Sequence, residues 1–423
     1  MKIKVKEMSY EEVLKLPRLQ HKTPRKPPLW LSTIVRLACI PTLLQTKFTY
    51  TTERMELVKD QPCLILMNHS SFTDIKLAFG IFYPQKLGIV TSVDAMSGFL
   101  GKLMRILGCT PTHKYVTDMT LIKDINYMLK ENKTSVLMYP EAGYSFDGCA
   151  TTMPKRLGVL MKRLGVPVVT VITQGAFHRD PLYNMLQIRD VKVSAHVKCI
   201  ATAEEVKEKS VDELDALLEE SFSFDNFAWQ RDNKVSIDVP FRADGLHRIL
   251  YKCPRCGAEN QMEGKGIHLT CHACNSRWTM DEYGQLSADG GETKYPHIPD
   301  WNKWQRECVR EELENGTYLL DTDVDIAIQV NLDGVCKIGS GHLTHTTDGF
   351  HLTSEDGKLD YHQSATFSHT LYSDYYWYEI GDVIGIGDNE FSYFCFPKGN
   401  VSVNKARLAT EELYKMKKKR RGE

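Results

Sequence analysis

Hydrophobic residues are spread unevenly along this chain of 423 residues, and their spacing changes between its two halves. In the first half they gather into unbroken runs: Leu64-Ile65-Leu66-Met67, Val136-Leu137-Met138 after Ser135, and residues 166–172, with a basic helical stretch at 155–164. Short runs without polar alternation predict strands buried on both faces. Strands alternating with helical patterns predict an α/β domain with its site at the carboxyl ends of the strands. The last third reads differently. Val324, Ile326, Ile328, Val330 and Leu332 alternate with Asp325, Ala327, Gln329 and Asn331, the mark of a half-buried strand. Turn signals at Asp333-Gly334, Asp348-Gly349, Asp356-Gly357, Asp388-Asn389 and Lys398-Gly399 space several short antiparallel strands. Aromatic residues at 372–378 and 391–396 supply core bulk. A closing helix carries Val403, Ala406, Ala409, Leu413 and Met416 along one side. Ahead of these strands, residues 300–313 form a helical stretch with Trp301, Trp304 and Val309 at core or docking spacing.

The first apolar run ends at Asn68-His69-Ser70-Ser71-Phe72-Thr73-Asp74. If a helix starts near Ser71, Asp74 lies in its first turn and its carboxylate reaches back to the imidazole of His69. A carboxylate-oriented imidazole is the usual general base at neutral pH. His-x4-Asp occurs also at His113/Asp118, His351/Asp356 and His369/Asp374, so spacing alone decides nothing. Only His69 closes an apolar run and enters a turn of small residues. The second run ends in Tyr139-Pro140-Glu141-Ala142-Gly143-Tyr144-Ser145.

These blocks resemble the phospholipid/glycerol acyltransferase family, whose type member is 1-acyl-sn-glycerol-3-phosphate acyltransferase. The family block Asn-His-x-Ser-x-x-Asp is matched by Asn68, His69, Ser71 and Asp74. The block Phe-Pro-Glu-Gly-Thr-Arg-Ser is matched by residues 139–145, and Val-Pro-Ile-Val-Pro by Val166-Pro167-Val168-Val169-Thr170. A second block is fainter, at Gly101, Leu107-Gly108 and Thr112-His113-Lys114. The resemblance covers roughly residues 48 to 205. It implies acyl transfer from a thioester to an acceptor hydroxyl, with His69 as base and Asp74 as its orienting partner. It also implies that Glu141, Gly143, Tyr144 and Lys114 bind the acceptor. The chain departs from the family at Tyr144, where an Arg would grip the acceptor's phosphate. A tyrosine donates one hydrogen bond and brings no charge, so a bidentate clamp is lost. Lys114 is the favoured substitute over Lys102, Arg105, Lys155 and Arg156. A serine hydrolase is the rival enzyme, but the chain has no Gly-x-Ser-x-Gly elbow.

The composition is that of an ordinary folded protein, with 42% hydrophobic and 25% charged residues and a formal net charge of −1. That balance argues against nucleic acid as the main partner. Of the 12 cysteines, eight are scattered singly, which points to a reducing compartment. The other four form Cys253-Pro-Arg-Cys256 and Cys271-His-Ala-Cys274, two knuckles with 14 residues between them. Four thiolates with no open position predict structural zinc, with His272 a bystander. So small a ribbon needs the metal in place of a core. No signal peptide is expected. Residues 29–44 would span roughly 24 Å as a helix, short of a bilayer core, and Arg36 and Pro41 interrupt them. With Arg18, Lys22, Arg25 and Lys26 ahead of Trp30, they read as a helix lying in a membrane interface. The basic tail at 415–421 is a second candidate membrane contact.

The expected organisation is therefore an interfacial segment (1–47), an acyltransferase domain (48–235), a zinc ribbon (245–283), and a linker helix with a β-rich barrel capped by a carboxyl-terminal helix (297–423). The last part resembles the pleckstrin-homology-like fold in architecture alone. The expected protein is a cytoplasmic enzyme, peripheral on the inner face of a membrane, in phospholipid biosynthesis. Its donor is acyl-CoA or an acyl-carrier protein, and its acceptor a lyso-glycerolipid, foremost 1-acyl-sn-glycerol-3-phosphate. The competing reading is an inactive acyltransferase-like scaffold that binds membrane or protein through its two carboxyl-terminal modules.

Overall fold

The computed structural model describes residues 3–114, 116 and 118–420, so Arg421 of the basic tail lies outside the described residues. After a short amino-terminal strand β1 (Val5–Glu7), the strands β2 (Thr49–Glu53), β3 (Leu64–Met67), β4 (Leu87–Ser92), β5 (Cys109–Thr112), β6 (Ser135–Met138), β7 (Val168–Gln174) and β8 (Ser194–Ala201) follow. The last seven form one sheet in the order β2-β8-β7-β3-β6-β4-β5. Five neighbours, β7 to β5, run parallel, and β8 joins antiparallel. Every residue of β3 is buried. Ile65 and Met67 pack with Leu137, Val169 and Val171 on one face. Leu64 and Leu66 pack with Val136, Val168 and Met128 on the other. Two-sided burial explains why these strands read as unbroken apolar runs.

A four-stranded antiparallel ribbon follows: β9 (Met262–Lys265), β10 (His268–Cys271), β11 (Arg277–Met280) and β12 (Leu286–Ala288). The helix Ile298–Glu314 then leads to seven antiparallel strands: β13 (Leu320–Gln329), β14 (Val335–Thr346), β15 (Gly349–Ser354), β16 (Asp360–Ser364), β17 (Tyr372–Trp377), β18 (Gly381–Gly387) and β19 (Ser392–Pro397). Strand β13 shows the expected alternation at its start, then turns buried on both faces. Val324, Ile326 and Ile328 enter the large core, while Ala327 meets Trp377, Val383 and Phe394 on the opposite side.

The expected barrel is not closed. The strand order runs β16-β15-β14-β13-β19-β18-β17, with no ladder between β16 and β17. A side chain links β16 to the end of β18 instead, where the amide of Gly387 donates to Gln363 Oε1 at 2.9 Å. The physical reason lies at β17, whose aromatic side chains are committed to the α/β domain rather than to β16. The hydroxyl of Tyr372 donates to Asp94 at 2.9 Å, and Tyr375 stacks on Phe146 at 4.3 Å. The closing helix Val403–Arg420 packs on the helix Ile298–Glu314 through Arg306, which pairs with Glu411 at 2.7 Å and Glu412 at 3.0 Å.

The modules are not beads on a string. One continuous core unites Phe146, Phe177 and Tyr183 of the α/β domain with Trp278 of the ribbon and with Trp301, Ile326 and Leu408 beyond it. Strand β1 joins the far end of the chain, pairing parallel to β14. The helix Leu29–Gln45 lies on the helix Asp74–Phe82, where Lys76 Nζ donates to Thr42 Oγ1 at 3.1 Å. Its polar Ser32 and Thr42 face inward, while Trp30, Ile34, Leu37 and Leu44 are exposed. No helix among the described residues is long and apolar enough to cross a membrane.

Candidate active site and four-cysteine centre

The parallel strands bring their carboxyl ends together, and the loops there carry the motifs. At the end of β3 the chain turns so that the helix Asp74–Phe82 starts on Asp74 itself. Asp74 is fully buried, and one oxygen, Oδ2, gathers three donors: His69 Nδ1 at 2.9 Å, Ser70 N at 2.8 Å and Ser71 N at 3.0 Å. The carboxylate therefore fixes both the ring and the loop that carries it. With Nδ1–H held by Asp74, the free Nε2 lone pair of His69 is the one available to take a proton. Burial holds this imidazole below its ordinary value. Asp74 opposes that shift through its hydrogen bond and charge, and the charge of Lys114 adds to it. The ring is thus neutral at physiological pH, the form a general base requires.

The second motif wraps the same histidine. Glu141 is buried, and both its oxygens are taken by backbone amides, His69 N at 2.9 Å and Thr151 N at 2.7 Å. It braces two loops against each other, which is a different task from touching an acceptor. Burial pushes its carboxyl up to about 7, against the pull of those amides and of Arg407. Ser145 N donates back to the carbonyl of His69 at 2.9 Å. Asn68 is tied to β7, taking Thr173 N on its Oδ1 at 2.8 Å. The turn needs a left-handed residue at Ala142 (φ +52°), which favours glycine over a Cβ-bearing side chain.

Four aromatic rings form one stack here. His69 lies between Tyr139, with centroids 4.1 Å apart, and Tyr144 at 3.8 Å, and Phe72 continues the pile on Tyr144 at 5.0 Å. Tyr144 therefore covers the histidine ring instead of offering a charge. Lys114 lies close enough for its charge to act on His69, and its Nζ sits 3.9 Å from the ring centroid of Tyr372. Beside it His113 bonds Ser392 across the domain boundary at 3.2 Å, lining a cavity of about 30 Å³ with Lys114 and Ser368.

The structure brings together His69, Asp74, Glu141, Gly143 and Tyr144, with Lys114 at the margin. Two other His-x4-Asp spacings form no such pair, since His113 turns to Ser392 and His351 to Asp360 at 2.8 Å. Sequence reasoning missed the buried Asp180, which accepts the Ser71 hydroxyl and is paired with Arg179 at 3.1 Å. No spacing rule links residues so far apart. It also missed Asp94 and its two tyrosine partners, although the aromatic cluster at 372–378 was visible as core bulk.

In the ribbon, Cys253, Cys256, Cys271 and Cys274 place their sulfurs within 4.8 Å of one another. Two of the pairs, Cys253–Cys274 and Cys256–Cys271, are 3.8 Å apart. Tetrahedral zinc with bonds of about 2.3 Å sets sulfurs about 3.8 Å apart, so the donor set fits the ion. Each knuckle ends on a left-handed residue, Gly257 (φ +75°) or Asn275 (φ +58°), which turns the second thiol toward the first. His272 bonds Glu263 at 3.1 Å and stays out of the cluster.

A carboxylate-held, neutral histidine at the strand ends is an arrangement able to accept a proton. Residues 49–174 match the family model described as Acyltransferase, and through this segment the chain carries a domain of the acyltransferase family. Among solved structures, the 1-acyl-sn-glycerophosphate (LPA) acyltransferase PlsC from Thermotoga maritima aligns with it at 20% identity and a TM-score of 0.37. That alignment covers 45% of this chain and 76% of the other. No curated protein matches the chain.

Proposed function

We propose that this protein transfers a fatty acyl group from an acyl thioester, coenzyme A or carrier protein, to the hydroxyl of a lyso-glycerolipid. The observation that carries this reading is the His69–Asp74 pair, 2.9 Å apart at the ends of the parallel strands inside the family-matched segment. His69 Nε2 takes the proton of the acceptor hydroxyl as its oxygen bonds to the thioester carbonyl carbon. The tetrahedral centre then collapses, the carbon–sulfur bond breaks, and the thiolate leaves with the proton returned by the imidazolium. No acyl-enzyme is required. Asp74 steadies the imidazolium, and Glu141 and the backbone around Gly143 hold the loops that seat the acceptor. Lysophosphatidate as acceptor is supported by Lys114, whose charge reaches the site in place of the Arg that Tyr144 replaces.

The membrane-facing part of the proposal rests on surface chemistry. Trp30, Leu37 and Leu44 on one helix and Phe99 on the helix Gly98–Ile106 expose their apolar side chains, as a protein working peripherally on a bilayer would. Structural zinc on the four cysteines and a docking role for the seven-stranded module complete the reading. The test is purified protein with labelled acyl-CoA and acyl-carrier protein against lysophosphatidate, other lyso-lipids, monoacylglycerol and glycerol 3-phosphate. Acyl transfer should appear in the unmodified protein and fall by about 10²–10⁴-fold in His69→Ala, with its circular dichroism unchanged. Equal turnover by the two proteins would sink the assignment. The scaffold reading predicts instead no transfer by either, with vesicle binding intact.

A further inference from the structure

We propose that strand β17 of the carboxyl-terminal sheet forms the headgroup wall of the acyl-acceptor site, with Tyr372 positioning Lys114 for the acceptor's phosphate. This rests on the acyl-transfer reading above. With Tyr144 stacked on His69 and bringing no charge, Lys114 is the cation whose charge acts on the imidazole. Its ammonium lies over the face of Tyr372, 3.9 Å from the ring centroid, in cation–π geometry. Lysine is a flexible point charge, so something must hold it where a headgroup would arrive.

The tyrosine that holds it is itself fixed. Its hydroxyl donates to Asp94 Oδ2 at 2.9 Å and accepts from Trp377 Nε1 at 2.9 Å. Tyr378 adds a second hydroxyl to the same Asp94 oxygen at 3.1 Å. Asp94 is buried just beyond β4, so β17 is bolted to the loop end of the α/β sheet. Further bonds make the docking rigid: Gln329 Nε2 to Ser97 Oγ at 2.9 Å, and the amide of Gly98 to the carbonyl of Leu332 at 2.7 Å. Asp374, two residues along β17, is also buried and feels the charge of Lys114. Burial pushes its carboxyl up to about 7, against the pull of that charge. The ring acts on the acceptor through Lys114, which makes Tyr372 a positioning residue.

Two acceptors separate a positioning role from mere packing. Lysophosphatidate and monoacylglycerol of the same short chain present the same hydroxyl to His69, but one lacks the phosphate. Tyr372→Leu should raise KM for lysophosphatidate about tenfold while leaving kcat, and the KM for monoacylglycerol, within about twofold. Tyr372→Phe keeps the ring under Lys114 but loses its bonds to Asp94 and Trp377, and should raise the KM less than Tyr372→Leu does. Lys114→Met should match or exceed Tyr372→Leu, and the double variant should be no worse than Lys114→Met alone. Equal losses with both acceptors, or a Phe variant as impaired as the Leu variant, overturn the proposal. Should the unmodified protein acylate nothing, the enzymatic reading fails by itself. Calorimetric titration with short-chain lysophosphatidate then decides the present point. A weaker Kd in Tyr372→Leu supports it, and no binding, or an unchanged Kd, overturns it.

Discussion

The His69 site and the four-cysteine centre are both tight clusters of chemically active side chains on loops, yet they are held together in opposite ways. At His69 every constraint is supplied by the fold. Asp74 collects two backbone amides besides the imidazole, and Glu141 spans the loops with two more. The strands beneath are buried on both faces. At the cysteines the knuckle backbones are set, but four sulfurs 3.8–4.8 Å apart gain nothing from proximity until an ion joins them. A hydrogen-bonded acid–base pair is stable as an empty site, whereas a thiolate cluster is cohesive only when loaded.

The sharpest way to break this contrast is at the proposed zinc site. Chelation of its ion, or Cys271→Ser, should lower the ribbon's local stability by several kcal/mol. Proteolysis within 250–290 should report the loss, and elemental analysis the ion. An unchanged cleavage pattern in metal-free protein would mean that the ribbon, like the His69 loops, is held by its packing on Trp301 and Tyr183. Asp74→Asn attacks the other side. It leaves the shape but removes the charge that steadies the imidazolium and fixes the tautomer, so turnover should fall by about 10²–10⁴-fold. The pH profile gives the sign. Burial lowers the His69 pKa and Asp74 raises it, so activity should climb as pH rises through a limb below 6.5. In Asp74→Asn that limb should move further toward acid while the plateau drops. A limb moving toward alkali would contradict the arrangement. The smallest effect concerns strain. Ala142→Gly should stabilise the protein by about 1 kcal/mol in chemical denaturation, because it relieves a left-handed Cβ. A loss of stability there would show that the Ala142 methyl is wanted for packing.

Much of this was legible in the sequence because it is local. The run Leu64–Met67 could only be a strand covered on both sides. His69 and Asp74 are five residues apart and flank the turn that closes a buried strand, which brings them together where the same spacing at His113 and His351 does not. The cysteine knuckles are likewise closed by their own backbone. The role of Glu141 was read less well, because a conspicuous acid in a motif gives no sign of which amides will claim it. The barrel failed to close for the same kind of reason, since the pattern of β17 showed its aromatic residues but not the partner they would choose.

What the sequence settled by itself, then, is the short-range geometry at the end of a buried strand and in the cysteine knuckles, and the alternation that makes one sheet two-sided and the other mixed. Backbone geometry leaves few ways to satisfy a spacing of two to five residues. Only the tertiary structure decided the contacts of Tyr372 with Asp94, His113 with Ser392 and Thr152 with Glu411, across separations of 278, 279 and 259 residues. Joining such distant segments costs chain entropy that no local pattern offsets. Those contacts exist because the shared core of ribbon, sheet and α/β domain brings them together.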